Sequence, residues 1–226
     1  ANRIISTSET PQRSTNGEFY NSIHADLDAA IAIYNTNTAP AYTNKTVYAS
    51  KTLAQAMKAR AYALKGDYTN ALTNANLVIN TSGITLATTA AEYAAVFHTH
   101  NEAANKEVIF RLKRTAVQNS QGSNLHNGWC SVTNRRNGSP FYEVSRALYN
   151  QFAATPGDNR LAVNVFTTGT ATTSSLIDPN YTTSADVKNT DILVLQKHGG
   201  QSALTSANGF NPDFMVCRLS EMYFIR

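Results

Sequence analysis

The sequence predicts a mainly α fold, a helical hairpin scaffold carrying long irregular loops and a few short strands. Three observations lead there. Residues 48–83 hold two amphipathic stretches of similar length around the turn Lys65-Gly66-Asp67-Tyr68. Residues 20–34 hold a third, and much of the remainder is rich in Thr, Ser and Asn with only short apolar runs. With 226 residues, 42% of them hydrophobic, the chain is long enough to bury a sizeable core.

Taken in order, the first element starts at Thr15-Asn16-Gly17-Glu18, a capping box in which hydroxyl and carboxylate satisfy backbone donors reciprocally. Tyr20, Ile23, Leu27, Ala30, Ile31 and Tyr34 then fall on one helical face. Residues 35–46, with Pro40 among Thr, Asn and Ala, read as a surface loop. In the first hairpin helix Leu53, Met57, Ala61 and Leu64 recur at helical spacing, and Ala54, Ala56, Ala59 and Ala63 keep the rest thin enough for close approach. Gly66 offers positive φ at the helix end, and Asp67 is the expected N-cap of the next helix. Tyr68, Ala71, Leu72, Ala75, Val78 and Ile79 form the second face, and Thr81-Ser82-Gly83 ends it.

Ala59, Tyr62, Gly66-Asp67-Tyr68 and Ala71 together resemble a tetratricopeptide repeat, which has a small residue at its close crossing, an aromatic near the end of its first helix and Gly-Asp-Tyr at the turn. The resemblance implies that Tyr62 and Tyr68 are packing residues. It covers one repeat length, with no second copy after Ile84, so the hairpin's partners must come from elsewhere in the fold.

Downstream, Thr89-Ala90-Ala91-Glu92 can cap a short helix through Phe97, and Glu107 to Leu112 reads as a strand by its alternation and β-branched content. Residues 115–136 are polar, with Gly122, Gly128 and the single tryptophan, Trp129, and read as loop, where binding residues concentrate on a rigid scaffold. Helical character returns over 140–152 through Val144, Leu148 and Phe152. After the Thr/Ser/Asn-rich residues 167–190 come a strand candidate at Ile192-Leu193-Val194-Leu195 and a turn at Gly199-Gly200. The final stretch, 212–226, is apolar on one side through Leu219, Met222 and Tyr223.

Composition narrows function modestly. The formal charge is +4, and the short basic groups Arg111-Leu112-Lys113-Arg114 and Arg135-Arg136 read as solvated faces rather than a nucleic-acid surface. No apolar run approaches the length of a membrane span. Cys130 and Cys217 are too few for a disulfide framework, and Cys217 in its apolar run reads as a small buried hydrophobe. Catalysis finds no constellation. Glu143, Asp158, Asp178 and Asp186 read as surface acids and caps, His98, His100 and His126 form no ligand pattern, and phosphate-binding glycine motifs are absent. Neither a metal nor a cofactor is expected.

The run Asp213-Phe214-Met215-Val216-Cys217-Arg218-Leu219-Ser220-Glu221-Met222-Tyr223-Phe224-Ile225 resembles the signature that opens the carboxy-terminal helices of SusD/RagB-type glycan-binding lipoproteins. Other pieces agree in order. They are the helix at Tyr20 to Ala30, Ala56 to Tyr62 leading into Gly-Asp-Tyr, the strand at Glu107 to Phe110, a short helix closed by Asp158-Asn159-Arg160, and Lys197 before a glycine turn. The resemblance spans most of the chain. It implies a single SusD-like domain fragment over 1–226, with a helical scaffold at 17–83, a loop-rich ligand-binding region at 84–212 and the start of the carboxy-terminal helices at 213–226. The family's leading signal, lipidated cysteine and outermost helices have no counterpart in this sequence, so the chain reads as an internal piece of a longer protein.

What the resemblance implies further is a surface protein of a Bacteroidetes-type outer membrane, held by a lipid anchor outside this chain. Such a protein captures oligosaccharide or polysaccharide without catalysis and delivers it to a SusC-like TonB-dependent transporter. Sugar rings stack their C–H faces on aromatics and offer hydroxyls to planar polar groups. The segment Asn124 to Arg136 has that mixture, so the expected ligand-binding residues are Trp129, Asn134, Arg135, Arg136 and Asn127, with Tyr142 beside them. The alternative is a tetratricopeptide-type protein interaction module, with Lys58 and Asn74 facing its partner.

Overall fold

The computed structural model describes residues 13–36, 46–98, 106–113, 144–165, 193, 197 and 213–226. They divide into two compact units, one containing 13–36, 49–83 and 221–226, the other 46–48 and 84–220.

The first unit is built on three helices, α1 (Asn16–Thr36), α2 (Lys51–Lys65) and α3 (Tyr68–Thr81), with α2 packed against both others. The capping box holds: Thr15 N–H donates to Glu18 Oε2 at 2.8 Å, and Glu18 N–H donates to Thr15 Oγ1 at 3.2 Å. Ser50 caps α2 by accepting from Leu53 N–H at 3.2 Å. The turn follows expectation, with Gly66 at φ 84° and Asp67 accepting from Asn70 N–H at 3.2 Å.

The burial within the hairpin differs from the sequence reading. Ala54, Ala56, Ala59 and Ala61 are the buried residues of α2, and Ala71, Ala75 and Val78 those of α3. Leu64 and Tyr68, expected on the packed faces, are each 73% exposed, and Leu72 is exposed as well. Because α2 is contacted by two helices, the positions that seal it are those where a methyl group permits close approach, and larger side chains at the turn are displaced outward. Tyr62 does pack: its ring stacks on His24 of α1 at 3.8 Å between centroids and 19° between planes. His24 is buried with neither ring nitrogen hydrogen-bonded among the described residues. Burial, helped by the charges of Lys65 and Lys58, pushes its pKa down, against Asp28 and Asp67, so the ring is neutral at pH 7. Lys58 pairs with Asp28 of α1, and Asn74 donates to Asn70 O at 2.8 Å. Arg60 forks onto both carboxylate oxygens of Glu221, binding the end of the chain to α2.

The second unit contains α4 (Ala90–His98), β1 (Val108–Leu112), α5 (Arg146–Ala153), α6 (Asn159–Asn164), β2 (Phe214–Arg218) and the first residues of α7 (Leu219–Ile225). Two expectations are corrected. The stretch 213–226 does not start as helix. Phe214–Arg218 is a strand, antiparallel to β1 with Leu112 opposite Phe214 and Val108 opposite Arg218, and β-bulges interrupt the register. A lone apolar run beside a helical pattern cannot show that its partner lies a hundred residues upstream, which is why periodicity missed it. Asp158-Asn159-Arg160 does not close a helix either. Asp158 is the N-cap of α6, accepting from Arg160 N–H at 2.9 Å. Likewise α5 begins only at Arg146, capped by Ser145, and Val144 lies outside it.

Arg111, expected on a solvated face, is 1% exposed, and its Nη1 lies 3.0 Å from Oδ2 of the equally buried Asp213. One packed cluster joins Val96 and Phe97 of α4, Val108 of β1 and Val163 of α6, with Tyr93, Ala94 and Met215 against it. Cys217 is buried, as its apolar neighbours suggest. The strand candidate at 192–195 is represented by Leu193 alone, and the other three residues lie outside the described ones.

Asp213→Ala removes the carboxylate from a sealed guanidinium and is expected to destabilise the protein by roughly 3–5 kcal/mol in denaturant unfolding, whereas the pair-removing Arg111→Met/Asp213→Leu variant recovers most of that loss. Equal losses in both variants would show that the ion pair is not the cause. Gly66→Ala puts a Cβ on a left-handed residue with no neighbouring atom in the way, so a loss of about 1 kcal/mol is expected from backbone conformation alone. A neutral result in the same unfolding assay would contradict the left-handed turn.

Candidate functional site

The residues expected to bind ligand, Trp129, Asn134, Arg135, Arg136, Asn127 and Tyr142, lie outside the described residues. The structure describes the frame from which their segment springs. The chain leaves β1 at Leu112-Lys113 and is next described at Val144. It leaves again after Val165 and enters β2 from Asp213. Leu112 and Phe214 are paired in the ribbon, so the departure of the first segment and the return of the second share one end of it.

The other anchor is a small cluster of Val144, Val165 and Leu193, all buried, with Tyr149 and Leu161 against it. Val144 N–H donates to Leu193 O at 2.9 Å, which satisfies a buried backbone donor at the end of the first segment. Helix α6 connects the anchors, since Val163 belongs to the α4 and ribbon cluster while Leu161 packs on the second. The described ends of both long segments therefore belong to one packed frame.

Polar contacts position that frame. Glu107, buried just before β1, accepts from Ala87 N–H at 2.9 Å and from Arg218 Nη1 at 3.4 Å, and its carbonyl accepts from Leu219 N–H at 2.8 Å. Arg218 Cζ stands 4.9 Å from the centre of the Phe97 ring, and Lys197 Nζ stands 4.7 Å from it. Burial, then the Arg218 charge, lowers the Lys197 pKa. Burial raises that of the Tyr93 hydroxyl. At the start of α4, Glu92 accepts from Thr88 N–H at 2.9 Å and pairs with Lys106, one residue before Glu107. Those contacts, the Lys106 bond foremost, pull its pKa down to about 2.

The sequence reading noted Lys197 only as a residue before a turn and missed Phe97, Glu107 and Arg218 as a group. Their side-chain types carried a signal, namely acid, aromatic and base within otherwise apolar runs, but nothing in the linear order says that they converge. Among the described residues no three His, Cys, Asp or Glu side chains gather as metal ligands, and no helix is long and apolar enough to cross a membrane.

No protein-family model matches the chain, and no curated protein matches its sequence. Solved structures do match by shape. A SusD superfamily protein from Bacteroides thetaiotaomicron superposes with a TM-score of 0.69 at 20% identity, over 98% of this chain and 44% of its own. The fold is SusD-like. A SusD-like protein from Bacteroides fragilis gives a TM-score of 0.70 at 17% identity, over 100% of this chain and 51% of its own. A further structure, solved with a xylogluco-oligosaccharide, gives 0.65 at 18% identity, over 94% of this chain and 44% of its own. The chain thus spans about half, or less, of the length of these three structures. At such identities the likeness is one of fold, and it agrees with the mainly α scaffold and short strands that the sequence predicts.

The Glu92 contacts carry a pH dependence. Its pKa lies below the ordinary 4.5 in the folded chain, so its contribution is complete above that value and is lost as pH falls through about 2. Unfolding free energy measured across that acid range should fall more steeply for the wild type than for Glu92→Gln; parallel curves would show that the carboxylate makes no net contribution.

Proposed function

We propose that this chain is part of a non-catalytic, surface-exposed glycan-binding protein of a bacterial outer membrane. The full-length protein, lipid-anchored outside this chain, delivers oligosaccharide to a SusC-like TonB-dependent transporter for nutrient uptake. The observation that carries the reading is the SusD-like fold, shared at a TM-score of 0.65 with a structure solved with a xylogluco-oligosaccharide. The anchoring of the long polar segments supports it, because a loop held at both ends by a rigid frame loses less entropy when it closes on a ligand. Within the first of those segments Trp129 is the stacking platform, and Asn127, Asn134, Arg135 and Arg136 meet hydroxyls, with Tyr142 near the segment's end.

Calorimetry of the full-length protein against a glycan panel tests this. Trp129→Ala is expected to weaken the best ligand roughly tenfold or more, as removal of a central aromatic anchor does. Undiminished binding in that variant would remove Trp129 from the site, and a panel without any binder would remove the function.

A further inference from the structure

The Phe97 ring is shared by two cations, Lys197 at 4.7 Å and Arg218 at 4.9 Å. Elsewhere in the described residues, cations withdrawn from water have carboxylates: Arg111 has Asp213, Arg60 has Glu221, and Lys58 has Asp28. Lys197 is half-buried and has none among the described residues. The acid at hand, Glu107, is already engaged by Arg218 at 3.4 Å and by Ala87 N–H at 2.9 Å. Only Nη1 of the Arg218 fork is used there, and the rest of its donors have no partner among the described residues. Among the described residues the place is therefore rich in donors, positive by one charge and short of acceptors. Attraction to the ring quadrupole offsets part of the ammonium's desolvation, but two cations on one ring still repel. Water or a neutral hydroxyl supplies acceptors without charge. An oxyanion supplies both, through short charge-assisted hydrogen bonds that a planar guanidinium favours.

We infer that Lys197 and Arg218 beside Phe97 form an anion subsite that takes the carboxylate of a uronic acid or the sulfate ester of an acidic saccharide. This rests on the glycan-binding reading and narrows its ligand class. Phe97, only 5% exposed, is the floor of the subsite and not a stacking platform for the sugar.

The test is calorimetry of the full-length protein with three oligosaccharides of equal length: a uronate, a sulfated sugar and a neutral one. At least one acidic ligand should bind, with affinity falling as salt is raised, since a partly buried ion contact keeps a salt-dependent component. Lys197→Gln should weaken that ligand about tenfold or more, Lys197→Arg should retain most of the affinity, and neither should alter a neutral ligand. Neutral binding without acidic binding, acidic binding untouched by Lys197→Gln, or acidic binding indifferent to salt overturns the subsite and leaves the glycan reading standing. Absence of binding by all three overturns both. Where Lys197→Gln unfolds, Lys197→Met, which keeps the aliphatic stem over the Phe97 ring and removes the charge, takes its place in the same comparison. Comparison of uronate with sulfate identifies which oxyanion the pair accepts.

Discussion

The second unit depends on the closing of one long loop. Glu107 and Arg218, 111 residues apart, bring β1 and β2 together at one end of the ribbon, and the sealed Arg111 and Asp213 lock it at the other. Closure entropy grows only with the logarithm of loop length, so polar insertions of this size are tolerated once the stem is strong. A buried ion pair adds little net stability over apolar residues, but it penalises misregistered pairings, because any slip leaves a charge in the core without its counter-ion. A ribbon interrupted by bulges needs such a device, since its hydrogen bonds alone tolerate sliding.

Acids elsewhere act in the same way, each fixing a joint. Glu107 binds an amide before α4 and a guanidinium at the end of β2, Glu92 binds the α4 start to Lys106, and Asp158 both caps α6 and holds Arg160. In the first unit Arg60 and Glu221 join two of the stretches that carry the family resemblance. Those stretches lie far apart in sequence and yet share one ion pair, which gives a physical reason for their occurring together.

Local order was legible wherever the cause is local. Thr15 with Glu18, Gly66, Asp67 and Thr89 with Glu92 act within three or four residues, and each behaves as its residue type requires. Facing surfaces were legible only in part. The stripe Tyr20, Ile23, Leu27, Ala30, Ile31 and Tyr34 is the half-buried face of α1, but Leu64 and Tyr68 lie outside the packed face of their hairpin because its crossings admit methyl groups and little more. The resemblance in the final stretch pointed to the fold, whereas its internal division into strand and helix was hidden, since the strand's partner is remote. Of the candidate binding residues, none lies in the described frame; their assignment rests on their chemistry and on the resemblance.

By itself, then, the sequence determined the first helix, the hairpin and its turn, and the caps at Thr15, Asp67 and Thr89, because these follow from short-range hydrogen bonding and periodic apolar patterning. The order of its motifs carried the resemblance to the SusD-like fold. Only the tertiary structure decided the β1 and β2 pairing, the burial of Arg111 against Asp213, and the meeting of Lys197, Phe97 and Arg218. Each of those joins residues scores of positions apart. Whether a charge is solvated or sealed is set by what the fold brings beside it, and no local pattern encodes that.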